Sequence, residues 1–94
     1  MANKVMTVLE ARIPQERWAE LVEKAKGLPA LPPGLEQSFF VQDTSEPDRW
    51  RTVGIWASLE AFETFRQSVG TPPPLAMFRS FGVTPTLTLF EIIM

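Results

Sequence analysis

The chain has 94 residues, 45% hydrophobic and 21% charged, a balance that fits one globular domain over residues 1–94 and excludes a disordered or fibrous chain. A net charge of −2 leaves no broad positive field for a phosphate backbone or an anionic leaflet, so neither nucleic acid nor a membrane is an expected partner. The absence of cysteine removes disulfides and thiol nucleophiles, and no apolar stretch reaches the roughly 20 residues that a membrane-spanning helix needs.

Met1-Ala2-Asn3-Lys4 runs directly into an alternating pattern with a charge at Glu10, unlike the unbroken apolar core of a secretory signal. The start is therefore read as native strand, and a cytoplasmic location is expected. From Lys4 to Ile13 the alternation predicts a first strand, with Val5, Thr7, Leu9 and Ala11 on one face and Met6, Val8, Glu10 and Arg12 on the other. Pro14 suits the first turn of a helix whose apolar stripe is Trp18, Leu21, Val22 and Ala25, ending near Gly27. Three prolines in Leu28–Gly34 predict a stiff connection without a ladder.

Alternation returns from Leu35 to Gln42, the second strand, and Asp43–Asp48 is rich in turn formers. Arg49 to Trp56 is the third strand, pairing antiparallel with the second; Trp50, Thr52, Gly54 and Trp56 share one side of it. Ser58 is placed to cap a second helix with the stripe Leu59, Phe62, Phe65 and Val69, closed by Gly70. After Pro72-Pro73-Pro74, the segment Leu75–Gly82 is expected to dock as a short helical turn. Thr86 to Ile93 is the fourth strand, with Pro85 marking an edge position.

The order β-α-β-β-α-β describes an α+β, ferredoxin-like sandwich: a four-stranded antiparallel sheet with its two main helices on one face. If Val5, Leu9, Ala11, Val53, Ile55, Leu87 and Leu89 meet the helices, the other face receives Met6, Val8, Phe40, Trp50, Trp56, Phe90 and Ile92. Such a surface is too apolar for open water, and a second copy of the same sheet is its simplest cover, so a homodimer is expected.

Trp56-Ala57-Ser58-Leu59-Glu60-Ala61-Phe62, at the junction of the third strand and second helix, resembles the W-x-S-x-E-A signature of the antibiotic biosynthesis monooxygenase (ABM) family within the dimeric α+β barrel superfamily. The resemblance implies a homodimer whose two sheets form a barrel, with a pocket in each subunit between sheet and helices or at the barrel mouth. Family members commonly carry a histidine in an E-A-x-x-x-H arrangement where this chain has Phe65, and the chain has no histidine at all. Histidine-ligated haem is therefore excluded, and with tyrosine also absent proton transfer falls to a carboxylate, an amine or water.

A cofactor-free oxygenase of this kind binds a phenol-like substrate, stabilises its anion and keeps the site dry. On that reading Trp50, Trp56, Phe40 and Thr52 bind a small aromatic ligand, Arg12 steadies an oxyanion and Glu10 is the base, the last two lying on the same side of the neighbouring strand as the tryptophans. On the alternative reading both tryptophans are dimer packing, Arg12 and Glu10 are an ion pair at the barrel mouth, and the protein is a non-catalytic ligand-binding or assembly domain. No metal is expected, because Glu10, Glu36 and Glu91 sit on separate strands, and the isolated glycines announce no phosphate-binding loop or cofactor. The third strand, Arg51-Thr52-Val53-Gly54-Ile55-Trp56, lacks the basic and aromatic pattern of an RNA-recognition sheet.

Overall fold

The three alternating runs and the C-terminal one each form a strand: β1 (Val5–Arg12), β2 (Leu35–Gln42), β3 (Arg49–Trp56) and β4 (Thr86–Glu91). The structure, a computed structural model, describes residues 3–94; Met1 and Ala2, read above as native strand, lie outside the described residues. The strands form one sheet in the order β2-β3-β1-β4, with every neighbouring pair antiparallel. This is the ferredoxin-like order, and it puts β4 at an edge, where Pro85 costs no ladder bond.

Three helices follow the predicted signals. A 3-10 turn (Gln15–Arg17) opens onto α1 (Trp18–Lys26), where Leu21 is fully buried and Trp18, Val22 and Ala25 pack around it. The Trp18 indole Nε1 donates to the Ile13 carbonyl at 2.7 Å, tying the helix to the end of β1. In α2 (Leu59–Val69) the Ser58 hydroxyl accepts the Ala61 N–H at 3.1 Å, the expected cap, and Gly70 ends the helix at φ +70°. The short α3 (Pro73–Arg79) starts earlier than the expected Leu75, because Pro73 and Pro74 occupy the first turn, where a missing N–H is no loss.

Leu28–Gly34 carries no ladder, and Gly34 secures its far end. Gly34 adopts φ +90°, its carbonyl accepts the Ala57 N–H at 2.8 Å, and a Cβ there would stand 2.7 Å from the Ala61 Cβ. Only glycine lets this loop lie against the start of α2. In the β2–β3 connection the Asp43 carboxylate accepts the N–H groups of Ser45 (2.7 Å) and Glu46 (2.9 Å). Those two bonds, with desolvation opposing and Arg49 adding attraction, hold its pKa below the ordinary carboxylate value.

The structure corrects the assignment of strand faces. The residues buried against the helices are Val5, Leu9 and Ala11 of β1 together with Trp50, Thr52 and Trp56 of β3. Trp50 stacks on Phe40 (5.2 Å between ring centres, 19° between planes) and meets the edge of Trp18, while Trp56 packs against Phe62 and Phe65. Phe40, Trp50 and Trp56 therefore belong to the helix-covered face, and Val53 and Ile55 to the open one. The cause is register: β1 pairs with β3 as Val5↔Trp56, Leu9↔Thr52 and Ala11↔Trp50, so odd positions of β1 share a face with even positions of β3.

Glu10 and Arg12 consequently lie on the opposite side of the sheet from the tryptophans. Nor do they pair with each other: Glu10 accepts from Arg51 at 2.6 Å, and Arg12 reaches Asp48 at 3.1 Å and Glu46 at 3.2 Å. The hydrogen bonds that Arg12 donates to Asp48 and then to Glu46 raise its pKa above the ordinary value. Ile92 falls just beyond β4, and Leu59 and Val69, expected in the α2 stripe, are 50% and 42% exposed because α2 packs on the sheet through Ala61, Phe62 and Phe65.

Phe78 of α3, with no exposed surface, fills the centre of the largest apolar cluster. Phe78→Ala is expected to lower unfolding free energy by about 3–5 kcal/mol, against less than about 0.5 kcal/mol for Leu59→Ala, as measured by urea denaturation.

Candidate functional site

The buried apolar residues separate into two clusters. One gathers Ile13, Leu21, Trp50, Met77, Phe78 and Phe81 under α1 and α3; the other joins Val5, Trp56 and Phe62, flanked by Leu35, Ala61 and Phe65, under α2. Between them β2, β3 and β1 offer only small side chains. Ser38, Gly54 and Thr7 stand side by side across β2, β3 and β1, and Thr52 lies one step further along β3 on the same face. A core filled to normal density would carry branched or aromatic residues there. With a hydrogen at Gly54 and short hydroxyl side chains around it, a cleft of about 710 Å³ opens between sheet and helices.

Its floor includes Thr7, Ser38, Thr52 and Gly54, its aromatic wall Trp56, Phe62 and Phe65. The rim is stiff. Six of the chain's nine prolines line the cleft: Pro29 and Pro32 from the loop after α1, Pro72, Pro73 and Pro74 at the start of α3, and Pro85 before β4. Proline fixes its own φ and offers no N–H, so this rim neither closes the cleft with a ladder nor pays much entropy to hold its shape.

One polar pair in the floor has a defined arrangement. The Trp56 Nε1 donates to the Thr7 hydroxyl oxygen at 3.1 Å, which leaves the hydroxyl proton of Thr7 free to be donated to a bound group. Gly54 keeps this pair in place: a Cβ there would come within 3.0 Å of Thr7 Oγ1, 3.0 Å of Leu35 Cδ1 and 3.2 Å of Trp56 Nε1. Among the described residues, Arg66 and Arg79 are the only charged ones that line the cleft. No group of three or more histidine, cysteine, aspartate or glutamate residues that could hold a metal ion occurs among the described residues.

Of the residues singled out from the sequence, the structure brings Thr52 and Trp56 together in this cleft. Phe40 and Trp50 share the face but are spent in the larger cluster, where they stack on each other. Glu10 faces a shallow depression of about 350 Å³ on the open side, with Met6, Val8, Val41, Arg51 and Val53. Arg12 is half exposed beside Asp48. Thr7, Ser38, Phe65, Arg66 and Arg79 were not foreseen. A signal existed for some of them: Thr7 and Ser38 are short polar residues in strand positions that should be apolar, and Arg66 falls one helical turn after the buried Phe62, on the same side of α2, although it is itself exposed.

Residues 5–78 match the family model described as antibiotic biosynthesis monooxygenase. Among solved structures, a conserved protein from Methanosarcina mazei superposes with a TM-score of 0.75 at 11% identity, covering 96% of this chain and 93% of that one. A haem-degrading protein from Mycobacterium tuberculosis gives 0.71 at 18% identity, covering 100% and 96%. SnoaB, a cofactor-independent oxygenase from Streptomyces nogalater, gives 0.65 at 15% identity, covering 99% and 96%. At these identities the likeness is one of fold. No curated protein matches the chain.

Thr7→Val keeps the side-chain volume but removes the acceptor of the buried indole N–H. It is expected to cost about 1–3 kcal/mol of stability and to shift the Trp56 fluorescence maximum, both readable in one denaturant titration.

Proposed function

Since the chain belongs to the antibiotic biosynthesis monooxygenase family, we propose that it oxygenates a small, electron-rich aromatic compound in the cleft between sheet and helices, without a cofactor. The observation that carries this reading is the split core: an aromatic wall and a floor of short hydroxyl side chains enclose a space of a size suited to a small ligand. A flat ring stacks against Trp56 and Phe65, while Thr7, Thr52 and Ser38 offer hydroxyl donors to a phenolate oxygen. Donors fixed before the anion forms stabilise it without reorganisation.

The reaction balances with molecular oxygen alone. A phenol loses its hydroxyl proton and the hydrogen of a ring C–H, one oxygen atom enters at that carbon as a quinone carbonyl, and the other leaves as water with the two hydrogens. The substrate supplies all four electrons, so no external reductant is required. Thr52 and Trp56 are assigned to ligand binding, and Trp50 and Phe40 to packing beside the floor on the same face. Glu10 and Arg12, on the far face, are assigned to the surface between two copies of the chain.

That surface is the second part of the proposal. Met6, Val8, Val53 and Ile55 form the centre of the open face, with Phe39 (51% exposed), Val41 and Phe90 (47% exposed) around them. An apolar patch of this composition is suited to an identical sheet across a two-fold axis, which closes the two sheets into a barrel. Light scattering at micromolar concentration is expected to report twice the 10.6 kDa chain mass, and Val53→Lys to report a folded monomer. A monomeric unmodified protein would overturn the barrel.

For the chemistry, oxygen consumption is measured against a panel of polycyclic phenols, with quinone followed by absorbance. One oxygen molecule consumed per quinone is expected, and Gly54→Val, which fills the cleft, should abolish it. A panel that binds without consuming oxygen favours a second reading, a non-catalytic ligand-binding dimer. One feature supports that alternative: the cleft lining contains no carboxylate, and the chain has no histidine, tyrosine or cysteine to act as base.

A further inference from the structure

The charges of the cleft are of one sign, although the protein as a whole is acidic. Four of the six arginines hold carboxylates: Arg12 with Glu46 and Asp48, Arg17 with Glu20, Arg49 with Asp43 and Glu46, and Arg51 with Glu10. The two that form no ion pair among the described residues, Arg66 of α2 and Arg79 of α3, are the two that line the cleft. Glu63 precedes Arg66 by one helical turn, a spacing at which such pairs commonly form, and even this pair is not made. With no aspartate or glutamate in the lining, any counter-charge at this site must arrive with what binds there.

We propose that the ligand of this cleft is an aromatic acid, with its flat apolar body between Trp56, Phe65 and the proline rim and its carboxylate held by Arg66 and Arg79. The inference rests on the reading of the cleft as a ligand site and specifies the class of compound. A guanidinium presents a planar fork of N–H donors that matches a carboxylate in a bidentate pair. Both side chains are exposed, within reach of solvent. An occupant shields them, and a neutral one removes water from two cations without replacing the lost hydrogen bonds, whereas an acid replaces them with charge-assisted ones. The lining therefore discriminates against neutral compounds of the same shape.

The test compares 2-naphthoate with 2-naphthamide, which share a ring system and differ in charge. Binding is followed by titration calorimetry, and the site is located from backbone amide shifts of Thr7, Ser38 and Thr52. The acid is expected to bind about tenfold more tightly than the amide at low salt, an advantage that shrinks as ionic strength rises toward about 1 M. Arg66→Gln and Arg79→Gln are each expected to erode that advantage while leaving the amide affinity unchanged. Lys26→Gln, a paired cation outside the cleft, should alter neither ligand. Equal affinity of acid and amide, or an advantage that survives both arginine substitutions, would overturn the acid assignment and leave the cleft as a ligand site. Failure of both compounds to move the floor amides would overturn the ligand site and the assignment with it.

Discussion

The antiparallel register of β1 against β3 is the constraint on which the rest depends. Pairing Val5 with Trp56 and Ala11 with Trp50 puts both tryptophans on the helix-covered face, six residues and about 20 Å apart along one strand. Each then nucleates its own apolar cluster, Trp50 with Phe40 and Trp18, Trp56 with Phe62 and Phe65. The helices follow this division, α1 and α3 resting on one cluster and α2 on the other. Thr52 and Gly54, the residues between the tryptophans on that face, decide what lies in the gap.

What lies there is space, and it persists because its borders do not collapse. The proline-rich rim has few conformations to choose from, and Gly34 locks the loop after α1 against α2 through a contact that no side chain would permit. The open face has a different character. Its aliphatic centre is bordered by the ion pairs of Glu10 with Arg51 and of Arg12 with Asp48, exposed contacts whose value is orientation more than stability.

The element order and most boundaries were legible in the sequence, since alternation, the Ser58 cap and the prolines are local signals that the structure bears out. Facing was not, because alternation says that two sets of residues separate but not which set meets the helices. The reading from sequence took Val53 and Ile55 as core on the strength of their aliphatic side chains. Their own strand argued against it: Arg51 shares their face, and turning that face toward the helices would bury a guanidinium. The same error grouped Trp50 and Trp56 with Glu10 and Arg12, which lie on the other side of the sheet. Thr52 and Trp56 share the cleft because they sit in one strand with fixed spacing. Arg66 and Arg79 reach the cleft from two separate helices, whose placement over the sheet no local pattern specifies.

A core in two pieces has a thermodynamic consequence as well as a chemical one. Neither cluster touches the other through a continuous apolar layer, so each holds its own helix to the sheet with limited help from its neighbour. A molecule seated between them supplies the missing layer. Because such a molecule would bind the native protein and not the unfolded chain, its affinity would add directly to stability, and the melting temperature of this small domain would be a sensitive reporter of any occupant of the cleft.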